Sequence, residues 1–388
     1  MTNIPALKPT ALKPIAGGLA LILAIAAPWL LSPYDLNLLA RFLALSLTAM
    51  GLVLLWGEGG VLSLGQGVFF GIGGYCIAMH LKLAGLGETE MPDFMVWSGV
   101  AALPWWWAIF RSPVIAILAI FIVPTVIATL FAWAIFARRI GGVYFALITQ
   151  ALALAFATLL VSSQDKTGGF NGLTDYQALF GFNLNLPSTS VGLYFATLLF
   201  VLMALFSLKW LLGARFGRML RASRDGSNRL RFLGHDPVPY KIVAFTVAAL
   251  LTSVSGALFT LHAGVISPAL VGVVPSIEMV IWAAIGGRES IIGAIAGTLL
   301  VNFAKDKIST ALPELWLYGL GFLFIGAVTV LPKGLAGLFG PDHPFKPARI
   351  GDMFARWRRS KAAEPIAPAA PETPTAPLAN PASEETVA

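Results

Sequence analysis

The stretch PVIAILAIFIVPTVIATLFAWAIFA, Pro113 to Ala137, runs 25 residues without a charged side chain and stops at Arg138-Arg139. As a helix it is long enough to cross a hydrocarbon layer of about 30 Å. Nine further segments of this character flank it, at approximately 14–32, 36–57, 62–83, 141–162, 191–213, 241–263, 275–287, 290–309 and 314–332. The composition agrees: the 388 residues are 57% hydrophobic and only 12% charged, with a mean hydropathy of +0.80. A soluble domain holds roughly 45–50% apolar and about 25% charged residues. The pattern is that of an all-α polytopic membrane protein with about 8–10 transmembrane helices.

Three segments carry marks of their own. The eighth is short and ends in Gly286-Gly287, and the third is glycine-rich (GQGVFFGIGGY, Gly65 to Tyr75), so either can be a broken or re-entrant helix. The first follows Lys8 and Lys13 and contains Ala24-Ile25-Ala26, which resembles a signal-peptidase site. It is read as a retained helix because the apolar run continues through PWLL, with a cleaved signal as the alternative. Pro124 is expected to kink the fourth segment. The pairs Gly67/Gly71 and Gly293/Gly297 have the GxxxG spacing that lets helix backbones approach.

Net charge is +7, and here the cations report topology rather than a nucleic-acid partner. With the N-terminus placed inside, 20 of the 26 Lys and Arg residues fall on the cytoplasmic side, so both termini are expected there. The chain then divides into a short cytoplasmic N-terminus (1–13), a transmembrane domain (14–340) with a cytoplasmic loop at about 214–240, and a tail at 341–388. The tail holds nine prolines and few large apolar residues, a composition expected to stay disordered. Its Arg356-Trp357-Arg358-Arg359 cluster suits anionic headgroups. The external loop 84–112, with Trp97 and Trp105-Trp106-Trp107, reads as an interfacial aromatic belt or as a docking surface for an external partner. A second external loop, 163–190, is polar and turn-rich.

Catalytic and metal-binding patterns are missing. None of the four histidines has a second ligand-type residue at helical spacing, and Cys76 is the only cysteine. No phosphate-binding G-x-x-x-x-G-K-[ST] loop occurs, so neither cofactor nor nucleotide is expected on this chain. What stands out instead are polar residues inside apolar segments, which are costly there. Glu278 is the ionisable one, with Gln66, Tyr144, Thr149, Gln150 and Asn302 beside it in this class. They are candidates for a solute path; the alternative is that each bonds a neighbouring helix as structural glue.

The most charged stretch is RFGRMLRASRDGSNRLRFLGHD, Arg215 to Asp236, with six arginines and two aspartates. Asp225 or Ser227 can cap a short helix, Gly234 can end it in a left-handed turn, and Leu230, Phe232 and Leu233 would offer a partner groove an apolar anchor ringed by arginines. Positive-inside topology with lipid contact explains the charge equally but not the LRFLG core.

Several stretches together resemble the permeases of branched-chain amino-acid-type ABC importers: LWGEGGVLSLGQGVFFGIGGY (55–75), RFGRMLRASRDGSNRLRFLGHDPVPYK (215–241), SIEMVIWAAIGGRESIIGAIAGTLLVN (276–302) and VLPKGLAGL (330–338). Within that group MPDFMVW, LPWWW, GGVYFALITQALALAF, TGGFNGLTDY and VNFAKDK with PELWLYGLGFLF are similar to the urea transporter permease of the UrtC type. The resemblance covers about residues 36–338. It implies a subunit in the cell inner membrane that works with a second permease of the same family, two ATPase subunits that bind the ATP, and an external binding protein, with urea as the solute. It also implies an ATPase-coupling loop of pattern E-A-A-x-x-x-G, aligned here with Asn228, Arg229, Leu230, Arg231, Phe232, Leu233 and Gly234. Only the glycine matches that pattern; the E-A-A part reads Asn-Arg-Leu. Branched-chain amino acids are the rival solutes, and they would need groups for a carboxylate and an ammonium, of which the segments look short. A passive urea channel or proton-coupled carrier is the alternative of another class, disfavoured because Glu278 is nearly alone.

Overall fold

The computed structural model describes residues 9–338 except 88, 89, 177, 180, 181, 185, 312–317, 320, 323, 324 and 327–333. Its long elements are α1 (Pro9–Leu30), α2 (Pro33–Leu52), α3 (Gln66–Ala84), α4 (Pro113–Phe136), α5 (Val143–Ser162), α6 (Pro187–Gly213), α7 (Arg215–Phe232), α8 (Val238–Ala263), α9 (Val273–Gly286) and α10 (Ile291–Ala311). Seven helices among the described residues are long and apolar enough to cross a membrane. They are the spans on α2 to α6, α8 and α9, the last counted with the turn before it. Of the other expected spans, α10 falls short on composition because it carries Lys305-Asp306-Lys307 in its last turns. The described apolar part of α1 is 14 residues, Gly17–Leu30. The expected segment 314–332 lies largely outside the described residues, as do the tail and its arginine cluster.

The core is built around α8, which packs against α2, α3 and α4. This is possible because glycine removes the side chain at the crossings. A Cβ on Gly73 would lie 1.9 Å from the Ser253 carbonyl oxygen, and one on Gly256 would lie 2.0 Å from that of Phe70. Gly293 and Gly297 do what their spacing suggests and bring α10 against Gly286 of α9. Gly67 and Gly71 both face Val271, in the turn before α9, and Gly67 also faces Ser276 of α9 itself, so this pair accommodates a loop together with the start of a helix. Pro124 sits inside an unbroken α4. Its missing N–H frees the Ile120 carbonyl, and Ser253 Oγ of α8 donates to that oxygen at 2.8 Å.

The glycine-rich third segment is an unbroken helix, α3, entered through a buried non-helical connection, and the short eighth is a short helix preceded by a turn. The α2 rod widens into a π-helical turn, Val53–Glu58, after which residues 59–65 are non-helical although Val61, Ser63 and Gly65 are buried. Only then does α3 begin, at Gln66, whose side chain meets Thr252 midway along α8. Gly67 N–H donates to Ser276 Oγ at 3.1 Å, tying this start to α9. Helix α9 itself has 14 residues and is preceded by a 3-10 turn at Pro268–Leu270. At that same end of the bundle the two-residue strands Leu173–Thr174 and Val265–Ile266 pair antiparallel. They join the 163–186 connection to the end of α8.

Candidate functional site

A cavity of about 560 Å³ opens between α2, α9 and α10, a size typical of small-solute pockets. It lies away from α7, toward the strand-bearing end of the bundle. One side of it is charged. Lys305 Nζ of α10 donates to Glu278 Oε2 of α9 at 2.7 Å, and the Glu278 side chain is only 8% exposed while that of Lys305 is 36% exposed. Arg41 of α2 lines the same space; its Nε and Nη2 donate to the His262 carbonyl at 3.3 and 3.1 Å. That carbonyl belongs to the last turn of α8, where a cation is favoured by the helix dipole. Asp306 and Asn302 complete the polar rim. Much of the remaining lining is apolar and includes Leu45, Phe70, Phe259, Met279 and Trp282.

The residues singled out from the sequence divide into three places. Glu278 and Asn302 both line the cavity, and the Asn302 amide also donates to the Thr298 carbonyl. Gln66 and Thr149 meet instead at the buried start of α3. Gln66 Oε1 accepts from Thr252 Oγ1 at 3.2 Å, while its Nε2 is buried without a partner. Thr149 Oγ1 accepts from Leu64 N–H at 3.0 Å and donates to the Ala146 carbonyl. Tyr144, 74% exposed, and the half-buried Gln150 lie on α5, outside the lining of the cavity. Arg41, Lys305 and Asp306 were missed as site residues because they read as external cations and their neighbours. Charged groups of both signs thus line this cavity, where the sequence reading singled out Glu278 nearly alone. The cue was available: a carboxylate in an apolar run needs a cation, and Lys305 follows Asn302 by three residues, on the same helix face.

At the other end of the bundle, α7 is an amphipathic helix in two pieces. Gly226 has extended backbone torsions (φ −179°, ψ 83°) that interrupt it. The expected cap does not form there. Asp225 instead accepts from Arg224 Nε at 3.0 Å, and Ser227 Oγ donates to the Ser223 carbonyl and accepts from Lys241 Nζ. The far end does close as expected. Gly234 has φ +79°, Gly234 N–H donates to Arg231 O and His235 N–H to Leu230 O, which is the paired bonding of a Schellman turn. Leu230 points into the protein at 4% exposure, so it is not an anchor for a partner; Phe232 and Leu233, at 91% and 75%, are fully presented. The Asp225 bond first, and then the other nearby carboxylates, hold the Arg224 guanidinium above its ordinary pKa against partial burial.

The chain matches the family described as "Branched-chain amino acid transport system / permease component" over residues 35–329. It belongs to that family: it is a transport subunit, not an enzyme. Among curated proteins it is similar to the "High-affinity branched-chain amino acid transport system permease protein LivM" of Salmonella typhimurium, with 24% identity over 349 residues, covering 84% of this chain and 75% of that protein. The LivM protein of Escherichia coli is equally similar, with the same identity and the same coverage. No solved structure matches the chain.

Proposed function

We propose that this permease carries an apolar amino acid, and that the cavity between α2, α9 and α10 is its share of the solute path. The observation that supports this substrate is that charges of both signs and aromatic and aliphatic side chains line one cavity. A zwitterion brings a carboxylate for Arg41 or Lys305 and an ammonium for Glu278 or Asp306. Its aliphatic side chain then meets Phe70, Phe259, Met279 and Trp282. Burying such a side chain contributes about 1.5–3 kcal/mol, a term that urea lacks. The names of the two LivM relatives point the same way. Urea is the second reading, favoured by the neutral donors and acceptors of Gln66, Thr149, Thr252 and Asn302 and by the stretches resembling urea permeases. The deciding measurement is ATP-dependent uptake into vesicles holding the chain and its partner subunits. Leucine should compete strongly for uptake and urea should not; urea competing while leucine fails would sink the amino-acid reading.

In this proposal a second permease subunit closes the open side of the cavity, where a membrane-embedded Lys305 and Glu278 would otherwise face lipid at high cost. An external binding protein delivers the solute at that end. The positive-inside rule favours the cytoplasm for the α7 end and for both termini. There Asn228 to Gly234 dock on an ATPase subunit, with Phe232 and Leu233 as the apolar anchor and Arg229 and Arg231 beside them. Because both anchors are exposed, Phe232→Ala with Leu233→Ala should leave the unfolding temperature of the isolated permease unchanged. The same pair should weaken ATPase binding by roughly thirtyfold, about 2 kcal/mol, as for a central interface anchor. Unchanged capture of the ATPase subunits by the double variant would refute this docking.

A further inference from the structure

We infer that the tetrapeptide Gly57-Glu58-Gly59-Gly60 is the seat through which movement of α7 reaches the buried start of α3. This rests on the importer reading above, but the contacts are independent of the solute. Arg221 Nη1 lies 2.9 Å from Glu58 Oε2. Arg224 Nη1 donates to the Gly57 carbonyl at 2.6 Å and lies 3.6 Å from Glu289 in the turn between α9 and α10. The glycines make these approaches possible. A Cβ on Gly57 would fall 1.7 Å from the Arg288 carbonyl oxygen, and one on Gly60, whose φ is +68°, would fall 2.6 Å from Arg224 Cγ. One face of α7 is thus clamped onto the last residues of the α2 rod and onto the α9–α10 turn at once.

The segment leading from this seat into α3 gives it a function. Residues 61–65 are non-helical, with Val61, Ser63 and Gly65 buried, so they lack the i to i−4 bonds that would hold a helix rigid. They run straight to Leu64, which donates to Thr149, and to Gln66, which meets Thr252. A displacement of α7 therefore bears on a short strap anchored in the middle of the bundle, with the α9 start tied in through Gly67 and Ser276. Arg221, Arg224 and Glu58 are positioning residues for coupling: they touch no solute and transmit a push from the docking end of α7.

The test uses the full chain with its ATPase and binding-protein partners in vesicles, measuring solute uptake and ATP hydrolysis on one sample. Glu58→Gln should keep the ATPase subunits bound and hydrolysing, while solute moved per ATP falls on the order of tenfold, a typical size for coupling between sites. The charge-exchanged pair Glu58→Arg with Arg221→Glu should restore part of that ratio. Uptake and hydrolysis falling in step, or a ratio unchanged in Glu58→Gln, would overturn the inference. A second arm avoids any folding defect: Glu58→Cys with Arg221→Cys, joined by a reducible thiol cross-linker, should arrest uptake until reductant is added. Full uptake in the cross-linked state also overturns it. Cys76 is buried and stays out of this reaction. If the unaltered complex shows no ATP-dependent uptake, the importer reading fails, whatever these variants do.

Discussion

Lys305→Met should abolish most solute uptake and destabilise the permease, and adding Glu278→Leu should recover the stability but not the transport. Lys305 Nζ sits 2.7 Å from a carboxylate whose side chain is 8% exposed. Removing the cation takes away the ion-pair partner of a buried carboxylate, which costs free energy. A fully buried pair broken in this way costs roughly 3–5 kcal/mol and an exposed one about 1 or less. With Lys305 36% exposed, a loss on the order of 2 kcal/mol is expected, intermediate between those limits. Replacing both partners by apolar groups removes the desolvation cost together with the attraction, which is often neutral. The unfolding midpoint in detergent should therefore drop in Lys305→Met and return in the double variant. Uptake should stay down in both, by at least about tenfold, because both lack Lys305, a proposed partner of the solute carboxylate. Recovery of uptake along with stability would mean that the pair only holds α9 to α10.

This pair shows where the sequence was legible and where it was not. Hydropathy over 20 or so residues located the spans because burial in lipid is an average property of a segment. The expected 113–137 and 141–162 are realised as Pro113–Phe136 and Val143–Ser162. Helices α6 and α8 begin four and three residues earlier than their apolar runs suggest, at Pro187 and Val238. Proline in the first turn starts a helix without regard to hydropathy. Partners were harder. The expected 290–309 is realised as Ile291–Ala311, but Lys305 within it counts as an external cation in the sequence, whereas in the fold it pairs with Glu278 of α9. Pairing across helices is a tertiary fact that no window on one strand of sequence contains.

The same limit governs α3 and α7. A glycine-rich run beginning near residue 62 gave the presence of a span, but the break at 59–65 depends on Arg221, Arg224 and Thr149 reaching in from other elements. For α7 the local chemistry of Gly234 was sufficient, since a left-handed turn needs only its own neighbours. The burial of Leu230 was not readable, because it depends on how the helix rolls against the rest of the chain.

Gly256→Ala and Gly73→Ala should each destabilise the permease, although alanine is the better helix former. The favourable propensity change is worth about 1 kcal/mol. Against it, each new methyl would sit about 2 Å from a backbone carbonyl oxygen, Phe70 O for Gly256 and Ser253 O for Gly73. Backbone atoms cannot rotate away as a flexible side chain can, so α3 and α8 must separate by more than 1 Å along their shared crossing. Overpacking of this kind costs typically 1–3 kcal/mol and sometimes more, and here it also pulls Gln66 away from Thr252. With a backbone clash near 2 Å the overpacking cost falls at the top of that range, and a net loss of up to roughly 2 kcal/mol per substitution follows from the difference. The double variant should lose less than the sum, because helices already pushed apart by one methyl have room for the other. Gly192→Ala supplies the internal contrast: it lies on α6 with nothing within 4 Å of the new Cβ, so propensity alone acts and stability should hold or rise. Unfolding midpoints in one detergent decide the matter. If Gly256→Ala behaves like Gly192→Ala, the α3–α8 crossing is not set by glycine, and the close approach that positions the start of α3 needs another cause.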